Sequence, residues 1–290
     1  MSKPVIANKN EKVVMIIALV VAVLSAFSAI LGFVDEGLYG VVIETGVFVP
    51  DFMPGTVSQD IVAIASAVLM FALVVFYLKC KDMRVFIAII GILTFYAYGY
   101  GLYVISALYT QIYFVYMIIF TLALFGIAFG KSGYANKDIE NLYLPKWVRI
   151  YGAAFLFLIV FIFVVNWVGM MMPYIQSNTR PDFYAVFILD LCIIMPLFAL
   201  ISYMLIKNNK LAYILLGMVL PKNIALILSV LIGEITAPLY GLENDGLFMV
   251  ISYSAVVIVS SLLFVFYCLK IKQCNPVVEE GSNHRQRSEK

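Results

Sequence analysis

The chain is built from apolar runs of about twenty residues, each closed by a polar turn or loop. Runs of that length match what a helix needs to cross the roughly 30 Å hydrocarbon layer of a bilayer. They recur at 13–34, 60–79, 85–106, 112–130, 147–170, 184–206, 211–235 and 247–269. In hydrocarbon every backbone N–H and C=O needs an internal partner, which leaves helices and closed barrels. A barrel shows ten-residue alternating segments instead, and the sequence has none. The pattern predicts an all-α integral membrane protein, a bundle of about eight transmembrane helices. Composition agrees, with 64% hydrophobic and 12% charged residues against about half and a quarter in soluble domains.

Lys and Arg set the expected direction, because cytoplasmic loops carry their excess. Seventeen of the nineteen lie in the N-terminus, the 79–84 turn, the 131–149 connection, the 207–210 turn or the tail. Those segments share one side of an eight-span chain. Arg180 and Lys222 are the exceptions. The reading is a multi-pass protein of the cell membrane with residues 1–12 and a disordered tail, 270–290, in the cytoplasm. The loops at 35–59, 107–111, 171–183 and 236–246 face outward and lean acidic. Segment 13–34 is apolar for longer than the core of a cleaved signal, so it reads as an uncleaved span; cleavage would leave seven.

Two stretches resemble one another. Asp60 opens a span, a basic turn and another span, and Asp190 opens the same series. Two parallel four-helix repeats account for this, and so does the general likeness of apolar spans.

The most unusual segment is Leu211–Ile235, where Pro221-Lys222-Asn223 sits near the middle. An unpaired charge at that depth costs at least ~2.5–3.5 kcal/mol. Asp190, inside the preceding span, is the expected partner of Lys222, directly or through a water. Ionisable groups at mid-membrane mark substrate, ion or proton paths; a buried pair that only fixes packing is the competing explanation. The proline frees a carbonyl of its own helix, which suits a broken helix that binds something. Asp60, the Tyr96/Tyr100/Tyr103 face, Asn166, Glu234 and Ser252 with Tyr253 lie toward the outer leaflet. Together with Asp190 and Asn223 they are candidates to line an outward cavity. Interfacial anchoring is the simpler role for the tyrosines, Asp60 and Glu234.

Other chemistry finds little footing. His284, the lone histidine, lies in the tail, and the four cysteines have no CxxC spacing. No metal site, cofactor or nucleotide-binding loop is expected, and no catalytic signature appears. The basic tail suits anionic lipid headgroups rather than nucleic acid. The leading expectation is a small-solute or ion transporter with an Asp190–Lys222 pair between the sixth and seventh spans. Its rivals are a receptor or sensor, an enzyme acting on lipid with Asp190 or Asp60 as general acid or base, and a structural membrane protein without substrate. Membrane lipids and an unknown small molecule or ion are the expected partners.

Overall fold

The computed structural model describes residues 9–35, 37–44, 46, 49–134, 139–243 and 246–273. Residues 1–8 and 274–290, which hold most of the expected cytoplasmic ends together with Cys274 and His284, lie outside that set. The structure is 85% helical. Helices α1 (Glu11–Val34), α2 (Gly37–Glu44), α3 (Met53–Cys80), α4 (Met83–Ile105) and α5 (Tyr113–Ser132) form the first half. Helices α6 (Lys146–Ser177), α7 (Tyr184–Ile206), α8 (Leu211–Thr236) and α9 (Leu247–Lys270) form the second. All but α2 are long and apolar enough to cross a membrane. The protein is a multi-pass helical membrane bundle.

The helices end where the sequence supplies a stop. Asp82 caps α4 by accepting the Arg84 N–H, 2.9 Å, while Lys81 turns the chain at φ 51°. Asn178 closes α6 and Asn208 follows α7, both at positive φ, a conformation that asparagine tolerates better than most residues. The loop expected at 35–59 contains α2 and the first turns of α3, and α6 runs on to Ser177 rather than stopping at Met170.

Cross-links show which ends lie together. At one end Lys81 pairs with Glu11 at 2.8 Å, and Arg84 donates to the Cys268 carbonyl at 3.0 Å. There too Asn10 donates to the Phe129 carbonyl, and β1 (Leu142–Tyr143) pairs with β2 (Lys272–Gln273). At the other end Tyr184 donates to the Ile105 carbonyl at 2.6 Å, and the rings of Phe52 and Phe183 stand 4.6 Å apart. The chain thus alternates direction, and nearly all the cationic turns gather at the first, basic end. The second is the acidic end.

In each half the first long helix packs on the second and the third on the fourth: α1 on α3, α4 on α5, α6 on α7, α8 on α9. The halves meet where α8 lies against α4 and α3. Gly126 and Gly130 let α5 settle directly against Leu93 and Ile90 of α4. Helix α4 is buried along most of its length, whereas α9 packs chiefly on α8 and turns the rest of its apolar surface outward. For a helix in lipid that exposure carries no penalty, because acyl chains are as apolar as leucine.

Candidate functional site

The break expected in the seventh span occurs in the sixth. Helix α8 passes through Pro221 without interruption. In α7, residues Asp190–Ile194 form a π-helical turn, closed by the Met195 N–H donating to the Asp190 carbonyl five residues back. Pro196 supplies the cause. It has no N–H for Cys192, and its ring would press on that carbonyl in a regular α-helix. Widening by one residue relieves the clash, and such π-turns often accompany functional sites.

The widened turn holds Asp190 inside the bundle, 5% exposed. One carboxylate oxygen accepts the Tyr98 hydroxyl of α4 at 2.9 Å, and the other accepts the Trp167 indole N–H of α6 at 2.8 Å. The carboxylate thereby ties three helices together. Hydrogen bonds to a charged group contribute about 1.5–3 kcal/mol each.

Lys222 is buried to 2% exposure. Of the two expected forms of the pair, direct or through a water, the direct one is not formed: among the described residues the ion pairs within 4.0 Å are Lys81–Glu11 and Arg84–Asp82. Asp190 remains the charged neighbour that acts on Lys222. The ammonium stands 4.3 Å from the centre of the Tyr98 ring and 5.6 Å from that of Phe198. Tyr98 therefore serves both charges, giving its hydroxyl to the anion and its electron-rich face to the cation. A desolvated cation over such a face gains about 2 kcal/mol or more.

Two separate spaces share Asp190 as a lining residue. A chamber of about 30 Å³ touches Asp190, Lys222, Asn223, Phe198 and Val256. That is room for one or two waters, the size that a water bridging Asp190 and Lys222 would need. On the other side of Asp190 a vestibule of about 660 Å³ reaches the acidic end. Asp51, Asp182 and Glu243, all exposed, edge it there, and Tyr98, Trp167 and Asp190 lie at its floor. Toward the basic end the segment Ala212–Leu220 is almost wholly buried, as is Tyr267 beside Gly217.

The other candidates divide. Glu234 and Tyr253 line the vestibule, and Tyr103 joins them. Asn223 lines the chamber and donates to the Ser260 hydroxyl at 3.1 Å. Asn166 lies on the exposed side of α6 beside Met170, and Ser252 is half-buried with its hydroxyl bonded to the Phe248 carbonyl. Neither lines a cavity described here. Tyr96 and Tyr100 face the first half, donating to the carbonyls of Ala63 and Ser25.

Asp60 sits in that half too. Far from being an interfacial anchor in reach of water, it is 1% exposed and accepts the Tyr39 hydroxyl at 2.7 Å. Gly32 makes the approach possible, because a Cβ there would collide with both groups. Asp60 is absent from the vestibule wall. Asp60→Asn keeps an acceptor for Tyr39 and is expected to change stability by no more than about 0.5–1.5 kcal/mol, the contribution of one hydrogen bond. Thermal unfolding of the purified variant measures this.

Residue order alone singles out neither Tyr98 nor Trp167. Tyr98 falls off the Tyr96/Tyr100/Tyr103 face. The available signal was that the third span is apolar or small on every side, the pattern of a helix buried all round, so both of its faces carry partners. Separating the roles of Tyr98 is direct. Tyr98→Phe loses one hydrogen bond to Asp190, with an expected cost of about 1.5–3 kcal/mol. Tyr98→Leu also loses the ring beneath Lys222 and is expected to cost about 2 kcal/mol more. Thermal unfolding of the two purified variants gives the difference. Comparison of this chain with known protein families, with curated proteins and with solved structures finds no match.

Proposed function

We propose that the protein is a transporter of a small solute or ion, whose site is the vestibule floor at Asp190 with Lys222 behind it. The observation that carries this reading is the asymmetry about Lys222. A vestibule of about 660 Å³ descends from the acidic end to Asp190, while the helices on the basic side of Lys222 are packed. That is the form of an alternating-access protein resting with one end open. The positive-inside rule sets the basic end in the cytoplasm of the cell membrane, so the open end faces out. Asp190 and Lys222 supply the switch. They are linked through Tyr98 rather than locked in contact, so a ligand or proton arriving at Asp190 alters what Lys222 balances. The π-turn beneath Asp190 and Pro221 before Lys222 are the points where α7 and α8 bend at least cost.

The test needs no known substrate. Cys80, Cys192, Cys268 and Cys274 are first replaced by serine. Val230→Cys, on the vestibule wall, is expected to react from the acidic face with a membrane-impermeant thiol reagent. Met218→Cys, buried on the basic side of Lys222, is expected to react from the basic face, and less once Val230→Cys has been modified. A Met218→Cys variant inert from both faces would mean that the basic end never opens, and the transport reading fails.

A further inference from the structure

Resting on that reading, we infer the class of ligand: a monovalent organic cation, an ammonium or amidinium group carried on an apolar or aromatic body. Three features of the vestibule lead there. The first is charge. Its ionisable wall groups include Asp51, Asp182, Asp190, Glu234 and Glu243, and among the described residues no Lys or Arg lines it. In a low-dielectric funnel, like charges on the wall concentrate ions of the opposite sign.

The second feature is where the nearest cation lies. Lys222 does not line the vestibule; it lies behind Asp190, in the chamber of about 30 Å³. A carboxylate or phosphate on an organic ligand in the vestibule would have to displace Asp190, which lines both spaces, to enter that chamber. Anionic and zwitterionic ligands thus meet carboxylates along the whole wall and cannot bring their negative group to Lys222.

The third feature is the floor. Both oxygens of Asp190 already hold donors, Tyr98 and Trp167. A small inorganic cation needs a shell of several oxygens to replace its water, and both oxygens of the carboxylate at this floor are already engaged by donors. Trp167, Tyr98, Phe163, Tyr103 and Tyr253 stand on the wall instead. Aromatic faces take a diffuse, weakly hydrated organic cation without full desolvation cost, as in sites for quaternary ammonium groups. The volume, about 660 Å³, lies within the range of pockets that enclose a small organic molecule.

The floor carries its own reporter. The chain has two tryptophans, and Trp147 is remote from the vestibule, packed against Phe266 and Tyr151. In a Trp147→Phe background, fluorescence reports Trp167 alone. Three probes of one shape class are titrated into the full-length purified protein: phenyltrimethylammonium, its neutral carbon isostere tert-butylbenzene, and the anion benzenesulfonate. The expected result is a saturable change with phenyltrimethylammonium, not displaced by the other two. Asp190→Asn weakens it at least about tenfold, and Glu234→Gln or Asp182→Asn about threefold each, as expected for charges several ångströms away across a wet cavity. Equal binding of the neutral isostere, preferential binding of the sulfonate, or no response to any probe overturns the inference. These outcomes leave the thiol experiment untouched, so transport of another solute then survives. Conversely, ammonium binding without labelling at Met218→Cys identifies a cation receptor, and the ligand class stands while transport falls.

Discussion

Asp190→Ala is expected to destabilise the bundle by about 3–5 kcal/mol, the usual result of removing one member of a buried charged set. Three losses coincide. Lys222 keeps its burial and loses the charge that acts on it. The Tyr98 hydroxyl and the Trp167 N–H lose their acceptor. A space opens between the vestibule and the chamber. Asp190→Asn keeps the shape and one acceptor but leaves Lys222 without its opposite charge and one of the two donors unpaired, so it is expected to cost less than Asp190→Ala while losing the proposed uptake. Lys222→Met removes the other charge and is expected to lose uptake too. The double variant Asp190→Asn/Lys222→Met is then expected to be more stable than the sum of the single changes by about 0.5–3 kcal/mol, the range for residues of one hydrogen-bond and charge network. Thermal melts and uptake by reconstituted protein separate the two effects. Additive stabilities would mean that the two charges do not sense each other.

Gly91→Val is expected to be the most damaging change outside the vestibule. A Cβ at Gly91 would lie 2.9 Å from the Met218 carbonyl oxygen and 2.8 Å from Cγ of Pro221. Neither neighbour yields easily, since one is helical backbone and the other a closed ring. Helices α4 and α8 would have to part, at a cost of about 1–3 kcal/mol by the measure of overpacked cores. The same movement takes the Tyr98 ring from under Lys222, because Tyr98 lies two turns along α4 and Lys222 follows Pro221. Phenyltrimethylammonium binding at Trp167 is therefore expected to fall together with stability. Gly40→Ala in α2 is the matched control. A Cβ there meets nothing within 4 Å, and the expected change is within about 0.5 kcal/mol.

The membrane class, the helical architecture and the sharing of one end by the basic turns could be read directly from residue order. Runs of about twenty apolar residues admit little else in a bilayer, and helix ends are local events: Asp82 caps, Asn178 and Asn208 turn. Lys222 and Asp190 also declared themselves, because a charge in an apolar span needs no structure to be conspicuous. What surrounds them did not. The i, i+4, i+7 rule picks one face of a helix and assumes the other is idle, which fails for α4, buried on every side. Hence Tyr96 and Tyr100 drew notice while Tyr98 holds the site. Asp60 looked wet because depth was counted along its own span, whereas α2 and Gly32 fold over it. Pro221 looked like a break, yet its helix continues, and the break belongs to Pro196.

Residue order by itself determined that this chain crosses a membrane as a helical bundle with two ionisable groups buried in it, because transfer of apolar and charged groups into hydrocarbon depends on composition within a single span. Tertiary structure alone decided that Asp190 and Lys222 communicate through Tyr98, that Lys222 is shut from the vestibule, and that the vestibule wall is acidic and aromatic. Those facts depend on which faces of α4, α6, α7 and α8 meet. The angular position of a helix is set by its packing against neighbours, and no single apolar span carries that information.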